Sequence, residues 1–149
     1  VLDDISDRVV ENVGGGTDTI KSSVSLDMTG RDGAYSNVEN VTLLGSDDLN
    51  VHGSNGDNIL IGNAGDNTLN GRDGDDALTG GSGSDTFVFS TGDDTDIITD
   101  FDLTSDKIKI NGTVITDLAS QLVAIADGDY VLNYGSGDQI IFYADGDLI

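Results

Sequence analysis

Between residues 53 and 88 oxygen donors recur at a fixed interval. Read in nines, the chain gives GSNGDNILI (53–61), GNAGDNTLN (62–70), GRDGDDALT (71–79) and GGSGSDTFV (80–88). Position six is Asn58, Asn67, Asp76 and Asp85. Positions one and four are glycine: Gly53, Gly62, Gly71, Gly80 and Gly56, Gly65, Gly74, Gly83. A side-chain oxygen at position six, with the carbonyls of an open glycine turn, makes a set of hard donors. Calcium takes about 6–8 such oxygens in a flexible cage, at about 2.3–2.6 Å. Magnesium demands a stricter octahedron and keeps more of its water, so many chain ligands favour calcium. A zinc site or a Ser-His-Asp triad would have to use His52, the only His, which stands beside no nucleophile signature and reads as a surface residue. Asp pairs suited to glycoside hydrolysis would need an apolar pocket to raise one pKa, and a thin coil offers none.

The elements that position these donors follow from the same nines. Position eight is always large and apolar: Leu60, Leu69, Leu78 and Phe87. Positions one to six read as a turn, in which glycine permits positive φ and close approach of neighbouring backbone. Positions seven to nine read as a short strand, whose alternate side chains face opposite ways, so position eight points inward. A fixed short period signals a stacked coil. Two nines make one coil, so turn 53–58 is expected over 71–76, and 62–67 over 80–85. A flexible acidic linker is the bland reading of a Gly- and Asp-rich segment. It gives no reason for an apolar residue to keep step through four unbroken copies.

Stacking of these turns needs help. Four buried apolar side chains contribute far less than the ordering of the backbone costs. Acidic residues also face one another along both edges. A divalent cation answers both problems, and its binding free energy becomes folding free energy.

The pattern is an established one: the block resembles the G-G-x-G-x-D-x-U-x calcium-binding repeat of RTX proteins in all four copies. The resemblance implies an all-β fold, a parallel β-roll (a two-sheet right-handed solenoid) with several calcium ions between stacked turns. Candidate metal-ligating residues are positions two, four and six: Ser54, Gly56 and Asn58; Asn63, Gly65 and Asn67; Arg72, Gly74 and Asp76; Gly81, Gly83 and Asp85. Asn58 and Asn67 lack the charge of the consensus Asp. The sites joining turns 53 and 71, and turns 62 and 80, are therefore expected to be weaker than an all-Asp site, and Asn58→Asp to tighten binding.

The flanks carry the pattern less regularly. Residues 1–12 alternate like an edge. Residues 13–21 (VGGGTDTIK) form an outlying fifth copy, with Gly14, Gly16, Asp18 and Ile20 at positions two, four, six and eight. Residues 22–28 alternate with Val24, Leu26 and Met28 on one face, a half-buried strand. Residues 30–36 read as an inserted loop, and 37–44 as a strand with Val41 and Leu43 inward. In 45–52, one residue short, Leu49 and Val51 form the core pair. These degenerate coils are expected to pack by side chains more than by calcium. Ile59 and Ile61 stand at outward positions, and the strand around 24–28 is expected to cover them.

After Phe87 the period breaks. Gly92 and Asp94 still offer positions four and six, but Asp96 falls where a core residue belongs. Asp96-Ile97-Ile98-Thr99-Asp100-Phe101 resembles the segment that ends the roll in the serralysin-type C-terminal domain. That resemblance implies that Asp96 and Asp100 help hold a calcium at the end of the stack. Asp106-Lys107-Ile108-Lys109-Ile110 follows as in that family. Residues 116–126, with Thr116 as N-cap and Leu118, Leu122 and Ile125 apolar, predict a short helix. Residues 129–134 and 138–143 flank Gly135-Ser136-Gly137 as a hairpin that caps the last coil. Tyr35, Tyr130, Tyr134 and Tyr143 read as packing of the cap, with a sugar-binding surface as the other use. The whole reads as one domain: degenerate coils over 1–52, regular repeats over 53–89, cap and export-signal region over 90–149.

Composition narrows the function. Of 28 acidic residues only Glu11 and Glu39 are Glu, against six Lys and Arg, and the net charge is −22. A generic acidic coat would use both acids; Asp is the shorter, suited to turns and tight oxygen cages. Such charge argues against nucleic acid and anionic membrane surfaces as partners. No apolar stretch approaches the length of a membrane span. Without Cys there are no disulfides, and calcium can serve as the staple of a secreted protein. With no initiator Met and no signal sequence, Val1 reads as a position inside a longer polypeptide. The resemblance implies a non-catalytic module of a secreted, extracellular bacterial protein. It implies export through type I secretion machinery, folding on calcium outside the cell and support of an upstream domain. The acidic-then-apolar ending 145–149 fits an export signal only loosely. Two other readings stay open: a carbohydrate-binding accessory module, as in alginate epimerases and related polysaccharide enzymes, or a segment of a large adhesin. The six cations are few for binding an acidic extracellular polysaccharide.

Overall fold

The computed structural model describes residues 1–3, 15–29, 35, 37–125 and 128–143. Most of the expected lead-in, most of the loop at 30–36, Gly14 and the ending 145–149 lie outside the described residues. The strands are short: β1 (Thr19–Ser22), β2 (Leu26–Asp27), β3 (Asn40–Leu43), β4 (Asn50–His52), β5 (Ile59–Ile61), β6 (Thr68–Asn70), β7 (Ala77–Thr79) and β8 (Thr86–Phe89). They continue as β9 (Thr95–Ile98), β10 (Lys107–Ile110), β11 (Thr113–Val114), β12 (Val123–Ala124), β13 (Tyr130–Asn133) and β14 (Gln139–Phe142).

Successive strands alternate between two sheets. One runs β1-β3-β5-β7-β9-β14-β13-β12, the other β11-β10-β8-β6-β4-β2. From β1 to β10 every sheet neighbour is parallel and two strands away in sequence, the topology of a two-sheet parallel solenoid. The register follows the nines: Leu60 pairs with Leu78, and Leu69 with Phe87. All four position-eight side chains are fully buried, in a core continuous with Val41, Val51, Ile98, Ile108 and Ile140. Each three-residue strand buries its middle side chain and turns the flanking two outward, as strand alternation requires. Glycine is compulsory where coils touch: a Cβ on Gly53 would strike the Gly71 carbonyl, and one on Gly62 the Gly80 carbonyl. The expected stacking of turns is thereby met.

The C-terminal hairpin β13–β14 docks on β9, with Ile141 opposite Ile97. Phe101 bridges the last coil and this cap, 5.9 Å from the Phe87 ring and 5.2 Å edge-on from Phe142. Tyr134 packs 6.0 Å from Phe89, Tyr35 is buried, and Tyr143 is exposed.

Two expectations fail. No helix forms over 116–125, the described part of the segment expected to be helical. There Gln121 N donates to Leu118 O, and Ser120 Oγ donates to the Asp117 carboxylate and carbonyl, closing a turn. The β-branched Val123 then pairs with Val131, so sheet pairing satisfies the backbone that a helix would have satisfied internally. Second, Ile59 and Ile61 remain 47% and 37% exposed. The strand expected to cover them, β2, is a member of the other sheet, paired with β4.

Candidate metal centre

The position-six side chains stack in two columns, one along each edge of the roll. In the first, Asn58 N donates to Asp76 Oδ1 at 2.8 Å, and Asp76 N donates to Asp96 Oδ1 at 3.1 Å. In the second, Asn67 N donates to Asp85 Oδ1 at 2.8 Å, and Asp85 N donates to Asp106 Oδ1 at 2.9 Å. One carboxylate oxygen is thus held by the backbone of the coil before. The other, Oδ2 of Asp76, Asp85 and Asp96, is buried and has no hydrogen-bond partner. Buried polar atoms are rarely orphaned, and an orphan of this kind asks for an ion.

The electrostatics agree. Burial lifts the Asp76 carboxyl to about 7, against the lowering effect of the Asn58 N–H, with Asp57, Asp93 and Asp75 adding to the rise. Burial lifts Asp96 to about 8, helped by the charge of Asp76. Burial lifts Asp85 to about 6, with Asp106, Asp100 and Asp66 contributing. Arg72 does not relieve Asp76: its guanidinium lies 3.9 Å from Asp27, on the outer face of the other sheet. A cation placed at these oxygens would gain most where charge is most penalised.

The four regular turns fall into two conformations. In turns 71–76 and 80–85 positions two and four have positive φ: Arg72 81° and Gly74 115°, Gly81 96° and Gly83 119°. In the outlying copy position four has the same form, Gly16 at 114°, and Asp18 Oδ2 is buried and unpartnered. In turns 53–58 and 62–67 no residue has positive φ. There the position-two N–H folds back on the position-six amide: Ser54 N to Asn58 Oδ1 at 2.7 Å, and Asn63 N to Asn67 Oδ1 at 2.7 Å. The contrast is chemical: an Asn leaves one oxygen for that N–H and no net charge, whereas an Asp leaves a charged oxygen over.

Most of the ligand candidates read from the sequence come together in these columns. Ser54, Gly56 and Asn58, Asn63, Gly65 and Asn67, Arg72, Gly74 and Asp76, and Gly81, Gly83 and Asp85 line successive turns. Asp94 does not occupy position six. It is exposed with φ 65°, and Asp96 takes the column, twenty residues after Asp76 instead of eighteen. The chain between is longer by two because β8 runs on to a buried Phe89. Asp96 and Asp100 belong to different turns. Asp100 binds the second edge, its two oxygens accepting from Gly80 N and Gly81 N, each at 2.8 Å.

Other residues of the columns escaped the sequence reading. Asp106 closes the second column; its signal is Asp-x-Ile, the same six-to-eight spacing found at Asp96-x-Ile98. Glu39 extends the first column, accepting from Asp18 N at 2.9 Å. A parallel ladder at position five carries no spare oxygen requirement: Asp57 accepts from Asp75 N, Asp66 from Ser84 N and Asp48 from Asp66 N.

Calcium fits this donor set. The available atoms are carboxylate and carbonyl oxygens, with neither thiolate nor imidazole among them. Among the described residues no group of three or more acidic, His or Cys side chains converges as a cage. The holding residues would therefore be Asp76, Asp85, Asp96 and Asp18 through Oδ2, completed by backbone carbonyls of the glycine turns. Bound there, the ion supplies positive charge between facing carboxylates. Residues 52–87 match the family model of the RTX calcium-binding nonapeptide repeat, in four copies. No curated protein matches the chain.

Proposed function

From a β-roll that carries RTX calcium-binding repeats, we propose a non-catalytic module whose folding is completed by calcium outside the cell. The observation that carries this reading is the unpartnered, buried Oδ2 of Asp76, Asp85 and Asp96. Without a cation these stacked carboxylates repel one another in a low-dielectric edge; with one, the same geometry attracts. The net charge of −22 opposes condensation where calcium is scarce, and that opposition is relieved where calcium is plentiful.

That coupling suits export through type I machinery in an unfolded state, followed by folding in the extracellular medium. The folded roll then supports an upstream domain of the same polypeptide. The test is circular dichroism and thermal melting of the chain in chelator and in millimolar calcium. A calcium-dependent β spectrum and a rise in melting temperature are expected. A chelated sample with unchanged spectrum and unchanged cooperative melting overturns the reading.

A further inference from the structure

Two of the four regular turns hold their neighbours with amide groups in the place where the others present an orphaned carboxylate. Turn 62–67 is the clearest. Asn63 Nδ2 donates to two carbonyls of the coil before it, Leu44 O at 3.1 Å and Asp47 O at 3.0 Å. Asn67 Nδ2 donates to a third, Leu49 O, at 3.1 Å, and to Asn63 Oδ1 at 3.0 Å. Asn63 Oδ1 also accepts from Gly65 N at 2.8 Å, and Asn67 Oδ1 from Asn63 N at 2.7 Å. Both amides have every N–H donated and each oxygen in use. The carbonyls that a cation would collect between these coils are already collected by the two side chains.

We infer that the asparagine pair Asn63–Asn67 is a built-in substitute for calcium, and that the coils it joins, residues 41–70, fold as a metal-independent segment flanked by metal-dependent turns. The inference rests on the calcium reading of the Asp turns and goes beyond it, since it divides the repeats into two kinds. Column geometry supports the division. Upstream of Asn67 the position-six place is taken by Leu49, an apolar residue with no oxygen to offer a metal through its side chain. Below it, Asp85 Oδ2 has no partner and the position-two residue, Gly81, has turned its N–H away to Asp100. Turn 53–58 is closed by the same device in part: Ser54 N and Oγ both reach Asn58 Oδ1, at 2.7 and 3.2 Å. In a solenoid stability is a sum over neighbouring coils, so one interface can be made without metal while the next is not.

Hydrogen exchange of the whole chain, in chelator and in calcium, reads this directly. The amides of Ala64, Asp66 and Thr68, which donate to the coil before, are expected to keep their protection in chelator to within about threefold. Those of Ser84, Thr86 and Lys107 are expected to gain roughly a hundredfold on calcium addition. Asn67→Asp places a charge against Leu49 O and Asn63 Oδ1; its Ala64 and Thr68 amides lose protection in chelator by tenfold or more and regain it in calcium. Asn63→Ala loses the two carbonyl bonds, and the acceptor of Gly65 N and Asn67 Nδ2, without gaining charge, so its loss in chelator is not restored by calcium. Equal calcium gains in turns 62–67 and 80–85 of the parent overturn the inference and leave the calcium reading standing. So does an Asn67→Asp chain with parent-like exchange in chelator. Absence of any calcium response at Ser84, Thr86 and Lys107 overturns both.

Discussion

Asp76 donates its backbone N–H to Asp96 Oδ1 at 3.1 Å, one coil on, while the Oδ2 atoms of both carboxylates are buried without a partner. Two charges so placed make the metal-free roll unstable and the loaded roll tight. Asp76→Asn isolates that balance. An amide oxygen still accepts from Asn58 N, and the charge facing Asp96 is gone. In chelator the variant is expected to melt higher than the parent. In calcium it is expected to bind about tenfold more weakly or worse, a change of ~1.4 kcal/mol. Calorimetric titration and paired melts check both halves. A variant that weakens the chelated and the loaded state alike would mean that Asp76 acts through packing alone.

Two glycines in the same turn separate close contact from mere turn formation. A Cβ on Gly53 meets the backbone of Gly71 and the side chain of Asn58, whereas one on Gly56 meets nothing within 4 Å. Neither residue has positive φ. Gly53→Ala is expected to cost at least the ~1–3 kcal/mol typical of overpacking, since backbone rather than a flexible side chain must yield. Gly56→Ala is expected to stabilise by about 0.4–1 kcal/mol, by restricting the unfolded chain. Denaturant unfolding in saturating calcium gives both values.

The sequence disclosed the roll because one apolar side chain keeps step with the glycines, so Leu60, Leu69, Leu78 and Phe87 could be placed in one core by counting alone. Counting failed where the coil lengthened. Asp94 lies at the ninefold position, but the register is set by the strand, and Asp96 sits two before the buried Ile98 just as Asp76 sits two before Leu78. The helix expected over 116–126 was misjudged because apolar spacing in a short segment does not reveal that a strand edge lies within reach of Val123. The two turn conformations were half visible. Asn in place of Asp at position six was plain, but the return of the Ser54 and Asn63 N–H groups onto those amides depends on backbone geometry that the residue types do not fix.

Asp100 is expected to matter to the end of the stack although it is exposed. Its two oxygens take the N–H groups of Gly80 and Gly81, two adjacent donors that no strand pairing serves. Asp100→Ala leaves both unmade, at a cost of roughly 1–3 kcal/mol. Asp100→Asn keeps one acceptor and is expected to lose about half as much. The loss is expected to be local: faster hydrogen exchange at residues 80–86, with 59–70 unchanged. Uniform loss across the roll would mean that the Asp100 clasp holds the whole stack.

Acid is expected to stabilise the metal-free roll and to weaken the loaded one. Burial raises the folded-state carboxyls of Asp85, Asp76 and Asp96 from 3.8 to about 6, 7 and 8. The folded chain therefore binds more protons than the unfolded chain between about pH 4 and 8. Their stabilising effect is fully present below about pH 4 and is lost as pH rises through 6, 7 and 8. Asp27, lowered by its bonds from Thr29 although burial opposes the shift, acts in the opposite sense, but only below its ordinary range. For protein freed of metal by dialysis, the melting temperature is thus expected to be higher at pH 5 than at any higher pH tested and to fall toward pH 8.5. In calcium the order reverses, because protons and the ion compete for the same oxygens and metal affinity falls with acid. Melts at pH 5, 6, 7 and 8.5, with and without calcium, are expected to cross. A metal-free protein whose melting temperature is flat or rising over that span would show that these three carboxyls are solvated in the apo fold.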